Sequence, residues 1–125
     1  MKLRLRGSSV RLRLTRPEVA AVGRGERVEE VTLLPDGSEF RYALVVVDDG
    51  EVTARMTGGC LEVHAPRAVA AEWASSEDVA MRALPARPDG ACELLIEKDF
   101  ACLHPRPEDQ GAETFPHPTL SRDST

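Results

Sequence analysis

The sequence predicts an α+β fold, mainly antiparallel strands with two short helices, and three observations carry that expectation. Apolar and charged residues alternate with period two from the first residues onward. Pro-Asp-Gly and Gly-Gly turns recur between apolar runs, and only two stretches carry helix-start signals or runs of alanine. At 125 residues the chain is long enough to bury one core without disulfide or metal staples, and with only 4% aromatic residues that core is aliphatic.

The opening "KLRLRGSSVRLRLT" sets Leu3 and Leu5 against Lys2, Arg4 and Arg6, then Val10, Leu12 and Leu14 against Arg11 and Arg13. Two half-buried strands joined by a tight turn at Gly-Ser-Ser are expected. Thr15, Pro17 and Glu18 then form a helix start with a capping box, and Gly23 or Gly25 ends the helix after about two turns. Residues 27–34 and 38–47 flank Pro35-Asp36-Gly37 as a hairpin, and residues 51–56 and 60–65 flank Gly58-Gly59 as a second. Pro66 opens the second helix, in which Trp73 is the one large anchor. "DVAMRAL" and "ACELLIEKDF" read as a last hairpin across "PARPDG". In that final strand Cys92, Leu94 and Ile96 alternate with Glu93 and Leu95, so both faces are expected to be partly buried before Glu97, Lys98 and Asp99 leave the sheet.

The chain also repeats itself. "LRLTRPEVAAV" and "LEVHAPRAVAA" superpose at an offset of 49, with Leu14 on Val63 and Pro17 on Pro66, and each half reads as strand, strand, short helix, strand, strand. Two ββαββ halves, about residues 1–47 and 51–100, are expected to pack as a small barrel or sandwich within one domain, 1–103. Residues 104–125 hold four of the nine prolines and lack apolar periodicity, which predicts an extended or disordered tail.

Composition narrows the function classes. A net charge of -5 argues against general nucleic-acid affinity. Nothing approaches a membrane span or a signal peptide, and three cysteines, Cys60, Cys92 and Cys102, with no Cys-x-x-Cys pair suit a reduced, cytoplasmic protein. No glycine-rich phosphate loop or catalytic motif calls for a cofactor.

The densest candidate site is basic. Lys2, Arg4, Arg6, Arg11, Arg13 and Arg16 fall within sixteen residues that contain no acid, and on one face of a ribbon they would make a patch for an anion or an acidic partner. The competing reading is a solvated face paired with acids such as Glu29, Glu39 or Glu97. Asp99, at the end of the last strand, joins this candidate set, either as a ligand contact or as a structural hydrogen-bond acceptor. A weaker alternative is a metal held by Cys102, His104 and His117, with His64 in reserve. Cys102 as a nucleophile beside His104 is weaker still, because residues two apart on a strand lie about 7 Å apart.

"MKLRLRGSSVRLRLT" and "EKDFACL" resemble the opening and closing motifs of an uncharacterised family of small bacterial proteins, and "FPHP" resembles the family's end, with His117 where Asn is expected. The resemblance covers roughly residues 1–103 and implies that residues 1–15 and 97–103 matter together. It carries no catalytic residue. The leading functional expectation is a non-enzymatic cytosolic accessory module that binds a partner protein or small anionic ligand through the basic hairpin. The alternatives are a small enzyme using Asp99, Cys102 and His104, and a homo-oligomeric scaffold, a dimer at the simplest.

Overall fold

The computed structural model describes residues 1–99. Each strand and helix forms where local chemistry asks for it. β1 (Lys2–Arg6) and β2 (Ser9–Leu14) pair antiparallel around a two-residue turn in which Gly7 takes a φ of 54°, the conformation that a tight hairpin needs at its first turn position. α1 (Arg16–Gly23) starts at a capping box in which the Thr15 backbone N–H donates to Glu18 at 2.8 Å. It ends in a Schellman motif: Gly25 N–H reaches Val22 O, Glu26 N–H reaches Ala21 O, and Gly25 supplies the positive φ of 83°. Gly23 therefore does not terminate the helix; its role lies in packing.

β3 (Val28–Leu33) and β4 (Glu39–Val47) form the hairpin across Pro35-Asp36-Gly37, and β5 (Thr53–Thr57) and β6 (Cys60–Pro66) form the next. α2 (Arg67–Ser75) follows directly, then β7 (Ala80–Ala83), a small two-stranded ribbon of β8 (Ala86–Arg87) and β9 (Gly90–Ala91), and β10 (Glu93–Lys98). β7 and β10 pair antiparallel as expected of the last hairpin, with the small ribbon as an additional element at its tip.

The α+β class holds, with two short helices and mostly antiparallel strands, but no barrel closes. The strands form two open sheets, β1-β2-β10-β7 and β3-β4-β6-β5, in a sandwich-like arrangement. Each sheet joins one hairpin from the first half of the chain to one from the second, through a parallel pair: β2 with β10, and β4 with β6. Both sheets have the same layout. The hairpin turns are closed by Arg6 and Ser9 in one and by Thr57 and Cys60 in the other, so equivalent positions lie 51 apart, two more than the alignment of letters suggests.

Leu12, Leu14 and Ile96 from one sheet, Leu44 and Val63 from the other, and Val22 and Trp73 from the helices share one core cluster. The helices touch closely. A Cβ added to Gly23 would lie 2.8 Å from the Cβ of Ala74, so only glycine lets α1 approach α2 this far. Among the described residues, no helix is long and apolar enough to cross a membrane.

Candidate functional site: a basic sheet face

Strand register brings the predicted basic residues together. Lys2 lies opposite Arg13 and Arg4 opposite Arg11, while Arg11 and Arg13 sit beside Leu95 and Glu97 of β10, and Leu95 in turn beside Arg82 of β7. The outward face of this sheet therefore carries six cations, Lys2, Arg4, Arg6, Arg11, Arg13 and Arg82, against two carboxylates, Glu93 and Glu97. Like charges directly opposite across a ladder each cost a few tenths of a kcal/mol to about 1 kcal/mol. Burial of Leu95 on this same face, with Leu94 and Ile96 buried on the other, explains why "LLI" reads as a continuous apolar run: β10 is a central strand with buried residues on both sides.

Of the three acids proposed as partners, Glu97 alone serves. Its Oε1 lies 3.7 Å from Arg11 Nε and 3.5 Å from Arg13 Nε, beyond hydrogen-bond reach, and has no hydrogen-bond partner among the described residues. The contact of this oxygen with the two guanidinium groups is therefore one of charge, not of hydrogen bonding. Glu29 and Glu39 lie on the other sheet, where they pair with Arg27 and Arg41. Among the described residues, Lys2, Arg4 and Arg6 form no ion pair.

The equivalent face of the second sheet is balanced. Arg27 bridges Glu29 at 2.8 Å and Glu62 at 3.3 Å, Arg41 bridges Glu39 at 2.9 Å, and His64 Nε2 lies 2.9 Å from Glu62. The hydrogen bond to His64, and the Arg27 pair after it, hold the Glu62 carboxyl below its ordinary range. Arg11 and Arg13 of β2 correspond by register to Glu62 and His64 of β6. One layout thus presents a compensated face on one sheet and a cationic one on the other.

Asp99 is buried at the end of β10, and its backbone N–H donates to Leu14 O at 2.8 Å. The described part of the closing motif therefore lies beside the opening one. Cys102, His104 and His117 lie outside the described residues, as does the predicted tail. His64 belongs to the balanced sheet, and among the described residues no group of three or more metal-ligating side chains gathers.

Sequence reasoning missed Arg82 and Glu93, which join the face from strands distant in the chain; no local signal announces them. It also missed a polar knot at the first residue. The Met1 ammonium donates to Glu18 Oε2 at 2.7 Å and to Glu30 Oε2 at 3.0 Å, and Tyr42 donates to Met1 O at 2.9 Å. Glu18 thus serves both helix cap and ammonium. Burial opposes charge on both groups, but the hydrogen bonds outweigh it, so the Met1 ammonium is raised above 8.0 and Glu18 is lowered below 4.5. Burial, and after it the charges of Glu30 and Glu18, push the Tyr42 hydroxyl up.

The two shifts set a pH window. A depressed acid stabilises the fold above its unfolded value and loses that contribution as pH falls through the folded one; a raised amine stabilises below its unfolded value and loses it as pH rises through the folded one. The knot contributes fully between about 4.5 and 8.0. Glu18→Gln is expected to cost about 1–2 kcal/mol in urea unfolding near neutral pH, and that difference should shrink once the ammonium deprotonates. A cost independent of alkaline pH would show that Glu18 acts through the helix cap alone.

No curated protein and no solved structure matches the chain. The profile of a family of unknown function, DUF7009, matches residues 1–119, from the basic hairpin through β10 and beyond, and the chain belongs to this uncharacterised family.

Proposed function

We propose that this protein is a non-enzymatic accessory module whose cationic sheet face, centred on Lys2, Arg4, Arg6, Arg11 and Arg13, holds an acidic partner protein. The observation that carries the reading is the contrast between the two sheet faces: one balances its charges and pairs most of them within itself, while the other sets like charges opposite one another with Glu97, and Glu93 beside Arg82, as partial relief. An acidic surface laid on that face would relieve the repulsion it carries.

Geometry favours an extended partner over a small anion. Lys2, Arg4 and Arg6 stand about 7 Å apart along β1, whereas a small anion is held by donors that converge on one point. Charge also opposes a scaffold built by pairing this hairpin with its own copy, since that would bring two cationic rows together. The shared layout of the two sheets supports an internal duplication, after which the two faces diverged in charge. A cytoplasmic setting belongs to this reading, supported by the free cysteines Cys60 and Cys92.

Labelled polyglutamate in fluorescence anisotropy is the direct test. Wild type should bind at low ionic strength and weaken at about 0.5 M salt, and Arg4→Glu/Arg6→Glu should weaken binding at least about tenfold. Both side chains are exposed, so circular dichroism should show an unchanged fold. Equal binding by the charge-reversed variant would reject the cationic face as the site.

A further inference from the structure

The same sheet ends in an open edge. β1 is hydrogen-bonded to β2 alone, and its other side pairs with no described strand. Which groups line that edge follows from the register. A two-residue turn makes its closing pair, Arg6 and Ser9, hydrogen-bonded, and bonded pairs alternate with unbonded ones along an antiparallel ladder. Lys2, Arg4 and Arg6 therefore direct their N–H and C=O groups at β2, while those of Leu3 and Leu5 face outward. The opposite side of the hairpin agrees: Ser8 O and Leu14 O accept from Glu93 and Asp99, which places the even-numbered carbonyls of this strand toward β10.

A cleft of about 640 Å³ runs along this edge. Met1, Lys2, Leu3, Arg4 and Leu5 all line it, together with Arg11, Arg13 and Tyr42. Five consecutive residues, whose side chains alternate between the two faces, are the lining expected of a space that wraps the edge of the strand. Leu5 is 56% exposed there, a large apolar side chain that is more than half open among the described residues.

Resting on the reading of the cationic face as the binding site, we infer that the acidic partner binds by β-strand addition: an extended segment with an acidic residue at every second position pairs with the open edge of β1. Its backbone would bond the free N–H and C=O groups of Leu3 and Leu5. Its acidic side chains would fall on the face of Lys2, Arg4 and Arg6, and its alternate apolar side chains on the face of Leu5. A second copy of β1 fits the backbone but not the charge, because it would set a second row of cations beside the first.

The test uses the full chain and a blocked peptide of alternating glutamate and valine, about seven residues long, a common strand length. Two controls separate edge pairing from charge. One is the same peptide with proline at its centre, which keeps the glutamates but breaks the ladder. The other is Leu5→Pro, which removes an outward N–H and no bond to β2. Both are expected to weaken binding at least about tenfold relative to the unmodified pair.

If Leu5→Pro fails to fold, the proline peptide on wild type still decides. A proline peptide that binds as well as the alternating one, or a folded Leu5→Pro that binds as wild type does, would overturn strand addition. The cationic-face reading then stands or falls separately on Arg4→Glu/Arg6→Glu. A dimer in light scattering that disappears in Leu5→Pro would show that a second copy occupies the edge, which overturns the acidic partner. No binding of the alternating peptide by a wild type that does bind polyglutamate would overturn strand addition alone.

Discussion

Replacing Trp73 with alanine is expected to cost about 3–5 kcal/mol, a large share of the roughly 5–15 kcal/mol by which a domain of this size is stable. Trp73 is 2% exposed and sits in the core cluster that joins both helices to both sheets. Its indole N–H donates to Val79 O at 3.2 Å, which ties α2 to the segment leading into β7. Lys98 Nζ lies 5.5 Å from the ring centroid while donating to Ser76 O at 2.7 Å, so the ring also supports the end of β10. Truncation removes the largest apolar side chain, leaves a cavity and deprives a carbonyl of its donor. Trp73→Phe keeps most of the volume and should cost about 1–2 kcal/mol, chiefly the lost hydrogen bond. Urea unfolding followed by circular dichroism measures both; a loss below about 1 kcal/mol for alanine would mean that the core closes over the gap or that Trp73 does not join the layers.

Gly23→Leu should be nearly as damaging, at about 3 kcal/mol, because the added side chain points at the neighbouring helix. Even Gly23→Ala is informative. Alanine is the better helix former by about 1 kcal/mol, yet its Cβ would stand 2.8 Å from that of Ala74, a short stub that cannot swing aside. A net destabilisation is expected, and Ala74→Gly in the same chain should recover most of it, a coupling readable in a double-mutant cycle. If Gly23→Ala stabilises the protein, the two helices are not held at this distance.

These residues show where sequence reading succeeds. Thr15 and Glu18 start α1, Pro35-Asp36-Gly37 turns one hairpin and Gly58-Gly59 the next, because each signal acts over a few neighbouring residues and needs no distant partner. Strict alternation around Arg11 and Arg13 likewise places the cations on one face of a strand, whatever that strand pairs with. Gly23 marks the limit: beside Gly25 it reads as a second helix terminator, and only Ala74, far along the chain, reveals that its missing side chain serves helix packing.

By itself, then, the sequence determined the two helices, every strand except the small β8-β9 ribbon, the main turns and the amphipathic sense of the strands, since local sterics and period-two burial decide these. Tertiary structure alone decided which hairpins share a sheet. The parallel pairings of β2 with β10 and β4 with β6 join segments distant in the chain and follow from how two apolar faces and two helices fill one core. That choice put Glu97 rather than Glu29 or Glu39 beside Arg11 and Arg13, brought Arg82 to the same face, and left β1 with β2 as its one partner among the described strands. Charge balance and strand edges belong to whole sheets, and a sheet exists only once distant strands have met.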